Sequence, residues 1–321
     1  MPQKPAAAFL DFSTVGPGVD TTSLSKAVNA TYYDFSEPDE IPARLAGCEV
    51  ALVNKTRLGR DLITAAPSLR LIGLAATGSD NVDLEAAQEA GVAVANVRDY
   101  CSDALAQHVF ALILGLTQQI IRYGELIREG AWTKSRSFAL FDYPIRELAG
   151  RNLGIIGFGF LGQAVAKLGE GFGMNLLVSA RPGSDGPLPT GRVPFDRVIA
   201  EADVLSLHCP LNDQTQDLLD ARAFKQMKRD AVVINTARGG LIDQQALADA
   251  LRNGEIGGAG IDVLPVEPPP ADDPLLAPDI PNLIITPHIA WAAREARQRV
   301  IDQVAENIES FYAGGNIRRI V

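Results

Sequence analysis

The stretch LGIIGFGFLGQAVA, residues 153–166, decides the fold of this chain. Its apolar beginning predicts a buried strand, and the pattern after the glycines predicts a helix. Gly157, Gly159 and Gly162 stand between them at the spacing G-x-G-x-x-G. This spacing allows a tight turn, a close approach of the backbone to a pyrophosphate, and close packing of helix on strand. The amino terminus of the helix would offer free amides to the phosphates. The stretch therefore predicts a dinucleotide-binding turn, against the alternative of a glycine-rich turn without a ligand.

Apolar runs of strand length recur on both sides of this stretch. Upstream they are AAAFLDF, EVALVN, LRLIGLAA and VAVANV, and downstream they are NLLVSA, DVLSLH, AVVINTA, GGAGIDV and LIITPH. Helical segments such as SLSKAVNA and VDLEAAQEAG separate the runs, and this alternation predicts parallel, doubly wound sheets of the α/β class. The 321 residues are enough for two such domains. A long helix is expected from about Asp103 to Leu126, and an amphipathic helix over residues 292–315.

The composition restricts the partners and the location of the protein. A formal net charge of −10 disfavours nonspecific binding to nucleic acid or to an anionic membrane, since both are polyanions. The apolar run at residues 109–116 is too short to span a bilayer, and the first residues lack a secretory signal. The three cysteines lie far apart, and no pair has zinc-ligand spacing. We therefore expect a cytoplasmic protein without disulfides, metal, membrane partner or nucleic-acid partner.

The end of the strand after the glycine turn bears on the choice of cofactor. An acidic residue there would bind the ribose 2′-hydroxyl of NAD(H) and repel a 2′-phosphate. The run NLLVSA ends instead at Ala180 and is followed by Arg181, whose guanidinium could pair with a 2′-phosphate. The sequence thus favours NADP(H) over NAD(H). The alternative is that Arg181 stacks on the adenine or lies in solvent.

Three separated residues have the side-chain types that hydride transfer to a small carbonyl acid requires. Arg238 follows the strand AVVINTA, Glu267 lies in the loop PVEPPP, and His288 ends the strand LIITPH. A guanidinium can hold a carboxylate and polarise a carbonyl, and an imidazole can exchange a proton near neutral pH. If Glu267 reaches His288, it would orient the ring and favour its protonated form. The structural alternatives are a surface loop arginine, a solvated carboxylate and a buried strand-end histidine. Of the other histidines, His108 is expected to be packed or interdomain, and His208 to have a structural or supporting role.

Taken together, these motifs resemble those of the D-isomer-specific 2-hydroxyacid dehydrogenases. The matching stretches are LGIIGFGFLGQAVA, VLSLHCPLNDQT, VVINTARGGLIDQQALADAL, GGAGIDVLPVEP, TPHIAW and ATGSDNVDLEAAQEAGVAVANV. The resemblance covers nearly the whole chain. Within the family, the chain is most similar to the glycerate dehydrogenase (hydroxypyruvate reductase) and glyoxylate reductase branch. The resemblance implies hydride transfer between NAD(P)H and a small 2-oxo or D-2-hydroxy acid, such as hydroxypyruvate/D-glycerate or glyoxylate/glycolate. It also implies a homodimer.

The resemblance assigns a role to each matching residue. His288 would be the catalytic acid/base, Glu267 its partner and Arg238 the clamp for the substrate carboxylate and carbonyl. The cofactor would contact Gly157, Gly159, Phe160, Leu161, Gly162, Ala180, Arg181, His208, Pro210, Thr236 and Asp262, with Asp262 accepting from the nicotinamide amide. The substrate would contact Asn54, Lys55, Gly78, Ser79 and Trp291.

The resemblance also implies the domain arrangement. A Rossmann cofactor domain, residues 101–289, would be inserted into a discontinuous flavodoxin-like substrate domain, residues 1–100 and 290–321. Two other functions remain open on the sequence. One is a dehydrogenase for larger acids such as D-3-phosphoglycerate, since Lys55 or Arg57 could meet a substrate phosphate. The other is a nucleotide-sensing, corepressor-like binding module, because an intact Arg–Glu–His set is compatible with binding without turnover.

Overall fold

The computed structural model describes residues 4–183 and 187–321. The chain divides into two compact units: unit 1 comprises Met1–Cys101 and Ala292–Val321, and unit 2 comprises Ser102–Trp291. The second unit is thus inserted into the first along the chain. These boundaries differ by one and two residues from those that the resemblance implies.

Unit 1 is built on a parallel sheet of five strands in the order β2-β1-β3-β4-β5, which is the order of flavodoxin-like folds. Its first elements are β1 (Ala6–Phe9), α1 (Thr22–Ala27), β2 (Asn29–Tyr32), α2 (Ile41–Leu45), β3 (Val50–Val53), α3 (Arg60–Thr64), β4 (Leu71–Leu74), α4 (Leu84–Glu89) and β5 (Ala93–Ala95). All residues of β3, β4 and β5 are buried, as expected for parallel strands covered on both faces.

One helix of unit 1 is shorter than predicted. The segment SLSKAVNA was expected to be helical throughout, but α1 ends at Ala27 and Val28 is extended, with φ −138° and ψ 166°. Asn29 to Tyr32 then pair with β1 as the edge strand β2. The prediction was wrong because β2 is an edge strand whose residues are all partly or wholly exposed, so that it lacks the apolar run that reveals the other strands.

Unit 2 is built on a second parallel sheet, in the order β11-β10-β9-β8-β6-β7. Its elements are α5 (Ser102–Thr117), α6 (Ile120–Arg128), α7 (Ala131–Lys134), β6 (Asn152–Ile156), α8 (Phe160–Gly171), β7 (Asn175–Val178), α9 (Phe195–Glu201), β8 (Val204–Leu207), α10 (Ala221–Gln226), β9 (Val232–Asn235), α11 (Gln244–Arg252), β10 (Gly258–Ile261) and β11 (Leu283–Ile285). A single parallel bridge from Ser179 to Val193 adds a further strand position beside β7. With that position counted, the strand order is that of a Rossmann fold extended by one strand.

The predicted helix from Asp103 to Leu126 is two helices. α5 ends at Thr117, Gln119 has a left-handed φ of +54°, and α6 begins at Ile120, with a bend of 55° between the helices. The hydroxyl of Thr117 donates to the carbonyl of Ile113, and the side-chain amide of Gln119 donates to that of Leu116. These side chains bond to two carbonyls of the last turns of α5, and that of Leu116 is one of the carbonyls that a helix end leaves without an intrahelical partner.

No single helix within the described ranges is long and apolar enough to cross a membrane, although the bent pair α5–α6 meets that test together by length and composition.

The last helix, α12 (Arg294–Tyr312), belongs to unit 1. Its buried face includes Val300, Ile301 and Val304, and it packs against β4 and α1. Beyond it the chain pairs with β5: the amide of Ile320 donates to the carbonyl of Val94 at 2.7 Å. The final residues therefore cover the open edge of the first sheet, which removes an unpaired strand edge.

Candidate active site

The glycine turn lies between β6 and α8, where the strand order of unit 2 reverses. Gly157 has a φ of +91°, and a Cβ there would lie 2.5 Å from backbone atoms of His208 and Cys209. A Cβ on Gly162 would lie 2.2 Å from the carbonyl oxygen of Gly157, so this glycine lets α8 pack on the turn. Gly159 differs, since no described heavy atom lies within 4 Å of its Cβ position. Packing requires the first and third glycines, and the second leaves room for a phosphate.

The amino terminus of α8 begins at this turn. Gly159 is the N-cap, and no side chain caps the helix, so its first amides are available to an anion. Phe160 is largely exposed beside them, and Leu161 is partly buried against the core of unit 2.

Two buried polar atoms at neighbouring strand ends lack a hydrogen-bond partner among the described residues. They are Nδ1 of His208, after β8, and Oγ1 of Thr236, after β9. The other ring nitrogen of His208 lies 2.8 Å from the hydroxyl of Ser206. Burial lowers the pKa of His208 to about 4, so the ring is neutral at physiological pH. Unpaired buried polar atoms are rare in folded proteins, and these two could bond to a cofactor along the carboxyl edge of the sheet.

The cysteine beside His208 is not a reactive group. Burial raises the pKa of the Cys209 thiol to about 11, so it is protonated at neutral pH, and the thiol is the poorer nucleophile.

Among the described residues 179–183 that follow β7, none carries a carboxylate. Ala180 is buried there, and Arg181 is exposed. A second arginine lies close by: the guanidinium of Arg192 is 4.8 Å from the centre of the Phe158 ring, and its Nη1 is 3.4 Å from the carbonyl oxygen of Ser179. Arg192 therefore lies beside both the glycine turn and the end of β7, and the sequence patterns did not indicate this residue.

Arg238 lies at the carboxyl end of β9 and is exposed. The side-chain amide of Asn235 donates to its carbonyl at 2.9 Å, which ties the turn back to the strand. A Cβ on Gly239 would lie 2.0 Å from the carbonyl carbon of Leu264, so the glycine allows the loop that leads to Glu267 to pack on this turn.

Glu267 reaches His288. Its Oε2 lies 2.6 Å from Nδ1 of the ring, and its Oε1 accepts from the amide of Leu264 at 2.9 Å. An ionised carboxylate can only accept, so Nδ1 carries the proton in this pair. The other nitrogen, Nε2, is then the one that can exchange a proton with a substrate. Both side chains are about one-third exposed, at 29% for His288 and 34% for Glu267, so a ligand can approach them.

His288 lies in a backbone conformation that side chains other than glycine rarely adopt, with a φ of +53°. The carboxylate of Asp262 holds the turn, accepting from the amides of Ile289 and Ala290 at 2.9 Å each and from the hydroxyl of Thr286 at 2.5 Å. The Asp262 side chain has no exposed surface. Its contacts are therefore with the turn, and its bond to a nicotinamide amide remains a prediction.

Two further cofactor and substrate candidates lie in the loops of unit 2. The indole nitrogen of Trp291 donates to the carbonyl of His288 at 2.9 Å, which folds the ring onto the same turn. Pro210 is exposed after β8, and its carbonyl accepts from the hydroxyl of Thr215 at 2.8 Å.

The predicted substrate residues of unit 1 lie in two adjacent loops, after β3 and β4. Asn54 and Lys55 follow β3, while Gly78 and Ser79 follow β4. The side chain of Asn81 joins the loops, because it donates to the carbonyls of Asn54 and Thr56 at 3.4 and 2.9 Å.

The buried carboxylate of Asp11 fixes the first of these loops. It accepts from the amides of Asn54, Lys55 and Thr56 at 2.9, 2.6 and 2.7 Å. Sequence reasoning missed Asp11, Arg192 and the contact of Asp262 with the His288 turn. The available signal was weak: Asp11 and Asp262 both follow an apolar strand, as many solvated loop aspartates do.

Comparison with known proteins agrees with this arrangement. Residues 110–290 match the family described as D-isomer specific 2-hydroxyacid dehydrogenase, NAD binding domain. The chain is 45% identical over 277 residues to a glycerate dehydrogenase of Methylorubrum extorquens, covering 86% of this chain and 87% of the relative. It is 34% identical to a hydroxypyruvate reductase of Blautia hydrogenotrophica, covering 96% and 97%. Among solved structures, an acyclic imino acid reductase in complex with NADPH and D-Arg is 28% identical with a TM-score of 0.86, covering 98% of this chain and 100% of that chain.

A Rossmann unit with a glycine turn and a histidine–carboxylate pair at the carboxyl edge of its sheet is the arrangement of a nicotinamide-dependent oxidoreductase. The chain belongs to the D-isomer specific 2-hydroxyacid dehydrogenase family. It is an enzyme that transfers a hydride between a nicotinamide cofactor and a 2-oxo or D-2-hydroxy acid.

Proposed function

We propose that the protein reduces the short 2-oxo acids hydroxypyruvate and glyoxylate and that it prefers NADPH. The observation that carries the proposal is the Glu267–His288 pair, with 2.6 Å between carboxylate and ring nitrogen, at the carboxyl edge of the Rossmann sheet. The relatives named glycerate dehydrogenase and hydroxypyruvate reductase support the choice of substrate.

The residues of unit 2 fit a nicotinamide dinucleotide. The open space at Gly159 and the uncapped amides of α8 suit the pyrophosphate. The unpaired atoms of His208 and Thr236 suit hydrogen bonds to polar groups of the cofactor that lie beyond the pyrophosphate along the sheet edge.

The reaction follows from the chemistry of three side chains. When bound, the reduced cofactor supplies the hydride to C2 of the oxo acid. Arg238 binds the substrate carboxylate and polarises the C2 carbonyl through its planar set of donors. Glu267 holds the proton on Nδ1 of His288, so that Nε2 of the protonated ring delivers a proton to the carbonyl oxygen. The resemblance also assigns Asn54, Lys55, Gly78 and Ser79 to substrate binding, and this assignment stays a proposal.

Two arginines support the preference for NADPH. Arg181 follows β7, and Arg192 lies beside both the strand end and the glycine turn. A carboxylate at Ala180 would repel a 2′-phosphate, and none is present at this position. The solved relative in complex with NADPH is in keeping with this choice.

An exposed apolar surface supports a homodimer. The surface consists of Ile120, Ile121, Ile127, Trp132, Phe138, Phe141 and Ile145. No residue of α6 is buried, and the side chains of Phe138 and Phe141 are 88% and 83% exposed. Residues 120–147 contain five basic and four acidic residues, in a chain with a net charge of −10. Two acidic copies would repel least across this surface, so a second copy of the chain is the occupant that fits it.

The first test is the initial rate of oxidation of NADPH and NADH, each with hydroxypyruvate, glyoxylate, pyruvate and 3-phosphohydroxypyruvate. We expect turnover on the short acids and a lower KM for NADPH. His288→Ala should lower kcat by about 10²- to 10⁴-fold while cofactor affinity is kept. Glu267→Gln should lower the pH above which reduction fails, since the protonated ring loses its partner. Binding of the cofactor without turnover on any of these acids would overturn the proposal and favour a sensing module.

The cofactor preference has a separate test. Arg181→Ser and Arg192→Ser should each raise the KM for NADPH by about 10-fold or more, because each removes a charge-assisted bond, and should leave the KM for NADH unchanged. Arg197→Ser is the matched control, since Arg197 lies on the nearby helix α9 and pairs with Glu201. Equal effects on both cofactors would exclude Arg192 as a phosphate-binding residue.

The dimer is tested by sedimentation equilibrium of Ile121→Glu and Ile127→Glu. We expect both variants to sediment as monomers while the wild type sediments as a dimer. Phe35→Glu is the control, because Phe35 is an exposed apolar residue of unit 1 outside this surface. A monomeric wild type, or two variants that both remain dimeric, would contradict the proposed interface. A cytoplasmic location also remains a prediction, which fractionation of the source cells would test.

A further inference from the structure

His108 lies on α5 and contacts the network beneath the His288 turn. Its Nε2 is 3.0 Å from the hydroxyl of Thr286 and 3.5 Å from Oδ1 of Asp262. Both partners belong to unit 2, as does the turn. The ring therefore has a specific polar environment rather than a purely apolar one.

The hydrogen-bond directions in this cluster are determined. The hydroxyl of Thr286 has one proton, and it donates that proton to Asp262. The hydroxyl can then only accept from His108, so Nε2 of His108 carries a proton. Asp262 in turn accepts from the amides of Ile289 and Ala290. The result is a continuous path of hydrogen bonds from α5 to the residues on both sides of His288.

The backbone of His288 requires such support. A left-handed conformation of a residue with a side chain costs on the order of 1 kcal/mol or more, and persists only where the surroundings enforce it. The amide of His288 itself donates to the carbonyls of Asp262 and Thr286 at 2.8 and 3.0 Å. The orientation of the His288 ring thus depends on the position of Asp262, whose carboxylate has no exposed surface.

We propose that His108 is a positioning residue for the reaction: through Thr286 and Asp262 it fixes the left-handed turn that aims the His288 ring. This rests on the proposed function, in which His288 delivers the proton. His108 acts through other residues and need not touch the substrate or the cofactor. A displacement of the ring by about 1 Å can cost on the order of 100-fold in rate.

The test compares His108→Ala, His108→Gln and Thr286→Val with the wild type. The glutamine amide can still donate to Thr286, so His108→Gln is the conservative variant. Thr117→Val is the matched control for Thr286→Val, because it removes a buried threonine hydroxyl of unit 2 that bonds within α5. The readouts are kcat, the Kd for reduced cofactor, and hydrogen exchange of the amides of Ile289 and Ala290.

We expect His108→Ala and Thr286→Val each to lower kcat about 10- to 100-fold, with the Kd for the cofactor within about twofold. Exchange of the two amides should become faster in both variants. A double variant that combines His108→Ala with Thr286→Val should have a kcat little lower than either single variant, since both substitutions interrupt one path. His108→Gln should restore much of kcat, and Thr117→Val should resemble the wild type.

Three results would overturn the proposal. They are an unchanged kcat in His108→Ala, losses that add fully in the double variant, and equal losses in kcat and cofactor affinity. A wild type without turnover on any oxo acid would defeat the proposed function instead. In that event the amide exchange still decides whether His108 holds the turn, because this readout needs no catalysis.

Discussion

Each unit of the molecule uses one buried aspartate to hold a loop, but the two loops differ in what they need. Asp11 in unit 1 and Asp262 in unit 2 are each 2% exposed and follow a strand. Asp11 accepts from three successive amides, those of Asn54 to Thr56. Asp262 accepts from two amides and a hydroxyl, around a histidine in a left-handed conformation.

The difference indicates two kinds of support. No residue from 54 to 56 has a positive φ, so the loop whose amides Asp11 accepts is relaxed. Asp262 stabilises a strained turn and is itself connected to α5 through side chains. In the first arrangement one carboxylate accepts all three amides, while the second is a chain of side chains that can be altered one at a time.

The largest effect is expected from Asp11→Ala, which leaves one buried and two partly buried amides without their acceptor. We expect the loop at residues 54–56 to lose about 3 to 5 kcal/mol of local stability. Hydrogen exchange of peptides from this loop measures the loss. Asp262→Ala is the paired variant and should accelerate exchange around residues 288–290 only.

The comparison fails if Asp11→Ala accelerates exchange at both loops, or at neither. Asp11→Asn separates charge from geometry, because the amide oxygen still accepts but without a formal charge. We expect it to fall between the wild type and alanine.

His208 of unit 2 is a buried histidine whose pKa is lowered by burial. Burial lowers the pKa of His208 from 6.5 to about 4. Between those pH values the unfolded chain binds a proton that the folded chain does not, so stability falls as the pH falls from about 6.5 to about 4. The loss through this residue is at most about 3 kcal/mol.

Urea unfolding followed by tryptophan fluorescence measures this dependence in unit 2, because both tryptophans, Trp132 and Trp291, belong to that unit. His208→Gln should lose less stability than the wild type between neutral pH and pH values near 4. Parallel pH profiles for the two proteins would show that His208 is not buried in solution.

The smallest effects are expected where an aspartate accepts amides at a partly exposed helix start. Asp83 caps α4 in unit 1, and Asp243 caps α11 in unit 2, each by accepting one amide. Alanine at either position should cost about 1 kcal/mol, measured by urea unfolding followed by circular dichroism. A loss of stability close to that of Asp11→Ala would show that burial adds little to the strength of the bonds that Asp11 accepts.

The sequence predicted the elements whose signal is local. The buried strands were predicted because each is a short apolar run. The contact of Glu267 with His288 was considered because the chemistry and motifs of the two residues are distinctive, and their catalytic role stays a prediction. The edge strand β2 was missed because its exposed residues resemble the end of a helix, and the break at Gln119 was missed because it depends on side-chain bonds to helix carbonyls.

The two aspartate supports could not be predicted, for a related reason. Asp11 and Asn54 are 43 positions apart, and Asp262 and Ala290 are 28 apart. Only the parallel sheet, which gathers strand ends along one edge, brings such residues together. The residues next to an aspartate in sequence do not indicate which distant amides its carboxylate will accept.

The pairing of β5 with the last residues of the chain has a consequence for synthesis. Residues 102–291 emerge from a ribosome before α12 and the segment that pairs with β5. Unit 2 can therefore complete its sheet first, while unit 1 still exposes the apolar surface that later packs against Val300, Ile301 and Val304. During most of translation, unit 1 therefore lacks its last helix and the segment that pairs with β5. The unit whose synthesis begins first is the last to complete its fold.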